Sequence, residues 1–184
     1  MKNFIYILLF CCLLCVAYAC GSSESREVVV DGRYKMMIPG NMKPTNALND
    51  GASLQYQNRL QELYIIVIDN AKEEFMNDLV DNDLLDIYPA SFEGYCDLLS
   101  DHENNSGVFL EQQDKHLLTR ETIHNLPATT FENVRRIEKM DIYYKIALIE
   151  GKEHYYNVVA WTLASRKKRF EKTIATMIAS FKEN

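Results

Sequence analysis

The chain has 184 residues, of which 47% are hydrophobic and 25% are charged, with 20 basic and 26 acidic side chains. This composition is typical of a globular domain and excludes collagen-like, low-complexity and disordered polyelectrolyte chains. The acidic balance also argues against nucleic-acid binding, which needs a clustered excess of Lys and Arg. We therefore expect one globular domain without a nucleic-acid partner.

The first twenty residues predict an export signal. Lys2 precedes an apolar run from Phe4 to Val16, and the small residues Ala17 and Ala19 come shortly before Cys20. A basic start, an apolar middle and small residues at the cleavage site are typical of a bacterial signal peptide. The apolar run is shorter than the roughly 20 residues that a membrane-spanning helix requires. Residues 1–19 are therefore predicted to be removed.

The sequence around Cys20 resembles the lipobox of Gram-negative lipoproteins, in which the cysteine receives a diacylglycerol and becomes the mature N-terminus. The resemblance implies a lipidated Cys20, a flexible tether over residues 20–27 and, because Gly21 follows the cysteine, attachment to the outer membrane. Ala17 and Tyr18 depart from the usual box, which has Leu three positions before the cysteine and a small residue two before it. Cleavage by an ordinary signal peptidase, which leaves Cys20 free, is the alternative.

The cysteine count excludes a disulfide within one mature chain. Once the leader is removed and Cys20 is lipidated, Cys96 is the remaining cysteine. Cys96 shares a helical stripe with Phe92, Tyr95 and Leu99, which favours a buried, inert thiol over a catalytic nucleophile.

Residues 28–184 are predicted to form one α+β domain. Apolar periodicity and turn residues predict strands at 28–30, 34–38, 52–58, 63–69, 117–123, 128–138, 142–150 and 154–163. Helical spacing predicts two helices within 71–101, the second beginning near Pro89 and Ser91, and a third that Ser165 caps and that ends at Glu183. Strands that are apolar on both faces are covered on both faces. We therefore expect an antiparallel sheet with helices packed on both faces.

The predicted hairpin 142–163 is rich in aromatic residues. Side chains alternate between the two faces of a strand. Tyr144 on the first strand, and Tyr155 and Trp161 on the second, belong to apolar stripes, while Tyr143 and Tyr156 lie on the opposite faces of these strands. Such rings combine apolar area with a polar tip and are candidates for a ligand or partner surface. Ordinary packing between sheet and helices is the alternative.

Three segments resemble the PsbP-like family: the opening 32–39 (GRYKMMIP), the aromatic hairpin with its YYNVVAW strand, and the closing helix with Phe181. The resemblance extends over residues 28–184. It implies an α/β/α sandwich similar to bacterial lipoproteins of the DcrB type, and a non-enzymatic accessory or binding module. It implies no catalytic residues and no cofactor.

Arg166, Lys167, Lys168 and Arg169 form a cationic run at the start of the last predicted helix. Cations in a first helical turn oppose the helix dipole. Neighbouring carboxylates, anionic lipid headgroups or an acidic partner protein could offset that repulsion. A solvated turn that tolerates the charges is the alternative.

Neither a metal site nor a catalytic site is predicted. The four histidines (His102, His116, His124 and His154) are scattered. The acidic run Asp78, Asp81, Asp83 and Asp86 lacks the glycine and closing glutamate of a calcium loop, which favours a solvated helix face. The sequence therefore predicts an envelope lipoprotein without enzymatic activity, held to the membrane by its lipid, that binds an envelope protein. The alternative is a binder of a small ligand or glycan through the tyrosine-rich hairpin. The oligomeric state stays open.

Overall fold

The computed structural model describes residues 24–105, 108–109 and 118–184, with only the backbone of 102–105 and of 108–109. The leader, Cys20, His116 and the side chain of His102 lie outside the described residues. The strands are β1 (Ser25–Val30), β2 (Tyr34–Pro39), β3 (Lys43–Pro44), β4 (Leu54–Asn58), β5 (Leu63–Ala71), β6 (Val108–Phe109), β7 (Thr119–Ile123), β8 (Leu126–Ile137), β9 (Met140–Glu150), β10 (His154–Leu163) and β11 (Lys182–Glu183). The helices are α1 (Lys72–Asp81), α2 (Phe92–Asn105) and α3 (Lys167–Ala179).

An eight-stranded antiparallel sheet forms the centre of the molecule. Its strand order is β3-β4-β5-β10-β9-β8-β6, and β7 also pairs with β8. The long strands β5, β10 and β9 lie side by side because each is apolar on both faces and needs cover on both. The predicted hairpin at 142–163 is confirmed as β9 and β10.

Each face of this sheet has its own core. On one face, α3 and a small sheet of order β1-β2-β11 pack through Tyr34, Ile38, Ile174 and Phe181. On the other face, α1 and α2 pack through residues that include Phe75, Leu79, Tyr95 and Cys96. The prediction of an α+β fold with helices on both faces is confirmed. The single sheet that we expected is instead two sheets, because the β1–β2 hairpin pairs with β11 and packs across the large sheet rather than along its edge.

Part of the predicted tether is folded. Residues 25–27, expected in the flexible segment 20–27, belong to β1 and pair with residues 37–39 of β2. Arg26 donates a hydrogen bond from Nη2 to the carbonyl of Met42 (3.1 Å), and Gly40 N–H donates to the Glu24 carbonyl (3.0 Å). These contacts extend the pairing by three residues towards the N-terminus.

The last helix differs from the prediction at both ends. Ser165 lies within a 3-10 turn (Ala164–Arg166), so it does not occupy the cap position, and α3 begins at Lys167. The helix ends at Ala179, not Glu183. Phe181 is fully buried and stacks on Tyr34 (5.2 Å between ring centroids), which redirects the chain so that β11 pairs with the free edge of β2.

Candidate binding surfaces

The five aromatic residues predicted as one surface lie on opposite faces of the large sheet. Tyr143 and Tyr156 are each 1% exposed and belong to the core beneath α3. Tyr144, Tyr155 and Trp161 lie on the face that α1 and α2 cover. Adjacent residues of a strand alternate between faces, so the tyrosine pairs 143–144 and 155–156 are each divided. The structure does not bring the five side chains together.

Tyr155 is enclosed by the helices. Its ring lies 4.6 Å from that of Tyr95 and 5.6 Å from that of Phe75, measured between centroids. Lys72 places its Nζ 5.1 Å from the centroid of the Tyr155 ring. Burial raises the pKa of the Tyr155 and Tyr95 hydroxyls. Tyr155 therefore fixes α1 and α2 to the sheet and leaves little area for a ligand.

A half-buried row of aromatic rings crosses three adjacent strands. Trp161 lies opposite both Tyr64 and Tyr144 in the strand register, and its ring centroid is 5.3 Å from that of Tyr64 and 6.1 Å from that of Tyr144. Burial, together with the hydrogen bond that its hydroxyl donates to Glu62 (2.7 Å), raises the pKa of Tyr64 to about 12. We call Tyr64, Trp161 and Tyr144 the aromatic row. Tyr144 and Trp161 are the members of the predicted surface that contact solvent, and Tyr64 joins them from β5.

The cationic run is divided between two sides of α3. Lys167 Nζ lies 3.1 Å from a carboxylate oxygen of Glu132, and Glu132 also binds Lys145 (2.8 Å). Partial burial opposes ionisation of Glu132, but the hydrogen bonds from the two lysines lower its pKa. Arg166 Nη1 donates to the carbonyl of Leu60 (3.1 Å). The carboxylate of Glu132 thus offsets the charge of Lys167. A neighbouring carboxylate was one of the alternatives that the sequence left open.

Another cation of the run, Arg169, borders a groove, and Lys168 is exposed to solvent. Arg169 and Lys172 of α3, Ser25 of β1 and Gln61 of the β4–β5 turn all line this groove of about 460 Å³. Among the described residues that line it, there is no carboxylate. We call this part of the molecule the basic end. It comprises the exposed Arg59 and Leu60, the groove-lining Arg169 and Lys172, and the half-buried Arg166, which binds the Leu60 carbonyl.

A second surface has the opposite charge. The outer side of α1 and the loop after it carry exposed acidic residues around exposed apolar side chains. The apolar members are Met76 (41% exposed), Val80 (51%) and Ile87 (65%), and the acidic members are Glu73, Glu74, Asp78 and Asp81. We call this the α1 surface. Its acidic run is solvated, as predicted.

Cys96 is buried, as the helical stripe predicted. Its residue is 5% exposed, and it lies beside a cleft of about 260 Å³ between α2 and the strands β7 and β8. Burial, only partly opposed by a hydrogen bond with Thr129, raises the pKa of the thiol to about 11. At the mouth of the cleft Arg120 and Glu93 form an exposed ion pair of 2.8 Å. The thiol is therefore protonated at neutral pH.

Two further features concern the described residues alone. Within 24–101 and 118–184, no three side chains of His, Cys, Asp or Glu come together in a way that could hold a metal ion. Over the same part of the chain, no helix has both the length and the apolar composition needed to cross a bilayer.

Several residues of these surfaces were not predicted from the sequence. Arg59, Leu60 and Lys172 join Arg166 and Arg169 only in three dimensions, because they come from a turn and from the second helical turn of α3. One signal was available: Leu60 is an apolar residue in the middle of a polar turn between two predicted strands. Its side chain is 93% exposed.

Comparison with solved structures identifies a PsbP-like fold. Cyanobacterial PsbP (CyanoP) from Synechocystis sp. PCC 6803 is similar over 90% of this chain and 96% of its own, with a TM-score of 0.57 and 10% sequence identity. LpqN of Mycobacterium tuberculosis, described as involved in cell envelope biogenesis, is similar over 88% of this chain and 91% of its own (TM-score 0.50, 9% identity). A Bacteroides thetaiotaomicron VPI-5482 protein matches 88% of this chain, which spans about half (49%) of that structure (TM-score 0.50, 10% identity). No family model and no curated protein sequence matches this chain.

Proposed function

We propose that this protein is a non-catalytic accessory module of the cell envelope, anchored by a lipid on Cys20, that binds a partner protein through the α1 surface. The α1 surface carries the proposal. Met76 and Val80 are four residues apart and therefore adjacent on the helix, and both are substantially exposed. Apolar side chains clustered on a surface and bordered by polar residues are typical of protein interaction sites. The acidic border selects a partner with a basic rim, because complementary charges favour association.

The anchor is proposed from the leader, from the small residues before Cys20 and from the position of the first strand. Because β1 begins at Ser25, the attachment point is close to the folded domain. The similarity in fold to LpqN, a protein described as involved in cell envelope biogenesis, is consistent with work at the envelope. We propose the outer membrane of a Gram-negative bacterium as the location.

In-cell photo-cross-linking tests the partner surface. A photoreactive amino acid replaces Met76 or Val80 in the full chain, and Met140, an exposed apolar residue (51%) at the start of β9, serves as the matched control position. We expect the same single protein adduct from both α1 positions and none from the control. Reversal of charge at Asp78 and Asp81 removes the adduct. Equal adducts from all three positions, or no adduct from α1, would contradict the proposal.

Mass spectrometry of the mature N-terminus tests the anchor. The full chain is isolated from the envelope of the producing cells, and its N-terminal peptide is weighed. We expect the peptide to begin at Cys20 and to carry acyl chains. An unmodified cysteine, or a leader that is retained, would contradict the proposed lipid anchor. Neither result bears on partner binding by the α1 surface, which the cross-linking experiment tests separately.

The aromatic row supports a second candidate, the binding of a glycan. Stacked, half-buried rings are suited to the apolar face of a sugar. Trp161 is the single tryptophan of the chain, so its fluorescence reports on this row alone. A saturable change on addition of cell-wall oligosaccharides, abolished by Tyr64→Ala, supports this candidate. Unchanged fluorescence rejects it.

A further inference from the structure

The two ends of β5 carry opposite charge. The strand runs for nine residues, a length of about 27 Å. Its first residue, Leu63, follows the turn of the basic end, and its last residue, Ala71, leads directly into the acidic α1 surface. In a chain with a net charge of −6, the cations of the basic end are therefore separated from most of the exposed acids of α1 by the length of the sheet.

Leu60 lies at the tip of the basic end. The side chain is 93% exposed, and Arg166 holds the turn by binding the Leu60 carbonyl. Exposed carboxylates are also present in this region, at Glu24 and at Glu171. Glu62 is engaged by the hydroxyl of Tyr64. Leu60 is thus an exposed apolar side chain with Arg59 and Arg166 beside it, and apolar side chains next to cations are typical of a protein surface that meets a lipid interface.

The N-terminus of the described chain emerges at the same end. Ser25 lines the groove beside Arg169, and Glu24 is bound through its carbonyl to Gly40 at the end of β2. Cys20 precedes Glu24 by four residues, so the covalent length of the chain limits their separation to about 14 Å. A lipid on Cys20 would therefore hold the basic end, rather than the α1 surface, next to the membrane.

We propose that the basic end faces an anionic phospholipid surface, with Leu60 in the headgroup region and Arg59, Arg166, Arg169 and Lys172 against the phosphates. The orientation rests on the proposed attachment at Cys20, which supplies proximity, while the cations and Leu60 determine which side faces the lipid. It points the α1 surface away from the membrane, where a partner protein can reach it. Each cation near such a surface strengthens binding about fivefold, and salt weakens this contribution.

Fluorescence at two positions tests the orientation. The full chain, produced with its own leader, carries Leu60→Cys or Val80→Cys labelled with an environment-sensitive dye, and is reconstituted into vesicles of phosphatidylcholine with or without 30% phosphatidylglycerol. We expect the dye at position 60 to shift to the blue and to be quenched by spin-labelled lipids in the anionic vesicles. The dye at position 80 stays in a water-like environment. High salt reduces the signal at position 60.

Charge reversal supplies the matched control. Arg169→Glu with Lys172→Glu removes two cations of the basic end, and the signal at position 60 falls by a factor of ten or more. Asp78→Lys with Asp81→Lys makes an equally large charge change on α1 and leaves that signal unchanged. The proposal is overturned if positions 60 and 80 respond alike, if phosphatidylglycerol has no effect, or if the two reversals act equally.

Failure of the anchor and failure of the orientation give different results. Without acyl chains on Cys20, the protein does not float with pure phosphatidylcholine vesicles, yet position 60 still responds to anionic vesicles in a salt-dependent way. With acyl chains and a wrong orientation, the protein floats with both kinds of vesicle and position 60 stays in water.

Discussion

Arg33 forms an ion pair with Asp69, and this pair joins the small sheet to the large one. Arg33 lies in the turn between β1 and β2, and Asp69 lies on β5. The side chain of Asp69 is 4% exposed, whereas that of Arg33 is 34% exposed and also binds Asp31 (3.0 Å). The two partners thus depend on the pair to different degrees.

This asymmetry predicts unequal effects of the two substitutions. Arg33→Met leaves a buried carboxylate without compensation and lowers the free energy of unfolding by about 3 kcal/mol. Asp69→Asn costs about 1 kcal/mol, because the arginine keeps Asp31 and water. Urea denaturation measures both values, and Asp31→Asn, which removes an exposed partner, serves as the control with little change. A larger loss for Asp69→Asn than for Arg33→Met would contradict the assignment.

Stability is expected to fall in alkaline solution. Burial raises the pKa of four core tyrosines: Tyr34, Tyr95, Tyr143 and Tyr156. Above about pH 10 the unfolded chain releases these protons while the folded chain keeps them, so the free energy of unfolding falls by about 1.4 kcal/mol per pH unit for each tyrosine. Denaturation between pH 9 and 12 measures the slope. Tyr156→Phe should reduce this slope by the contribution of one proton. A free energy of unfolding that does not change between pH 9 and 12 would refute the prediction.

The sequence predicted those elements whose signal is local. The alternation in residues 142–163 located β9 and β10, and Ser91 was correctly identified at the start of α2, where its Oγ accepts a hydrogen bond from the N–H of Gly94 (3.3 Å). The strand β11 was missed because Lys182 and Glu183 have no strand pattern of their own. They pair with β2 because the burial of Phe181 brings them to a free sheet edge.

The candidate surfaces were less predictable for the same reason. The run Arg166–Arg169 is contiguous and therefore visible, but the structure assigns Lys167 to an ion pair with Glu132 and Arg169 to the groove, a division that depends on which strands flank α3. The α1 surface was interpreted only as a solvated acidic face. Phe75, Met76, Leu79 and Val80 all recur at helical spacing in the sequence, although only Phe75 and Leu79 are buried.

Cys96 is expected to resist thiol reagents in the folded protein. With a pKa of about 11, roughly one thiol in a thousand is ionised at pH 8, against about one in four for a free cysteine. Ellman's reagent should therefore label Cys96 at least 100-fold more slowly in native protein than in guanidinium chloride. Cys96→Ala removes this slow phase. If native protein shows a fast phase that persists in Cys96→Ala, that phase comes from an unmodified Cys20. If Cys96→Ala abolishes the fast phase, Cys96 is accessible and the prediction is wrong.

Gly151 lies where the β9–β10 hairpin meets the C-terminal strand, and it leaves no room for a side chain. A Cβ there would lie 2.6 Å from Cε2 of the fully buried Tyr156 and would also collide with the carboxylate of Glu183. Glu183 cannot withdraw freely, since it accepts a hydrogen bond from the Lys152 N–H (3.0 Å). Gly151→Ala should therefore lower the free energy of unfolding by about 2 kcal/mol, which corresponds to a fall in Tm of about 4–8 °C.

Gly51→Ala is the control, because its Cβ meets only an Asn49 side-chain oxygen at 3.4 Å. Thermal denaturation followed by circular dichroism compares the two, and equal Tm values for both variants would show that the contact with Tyr156 relaxes without cost.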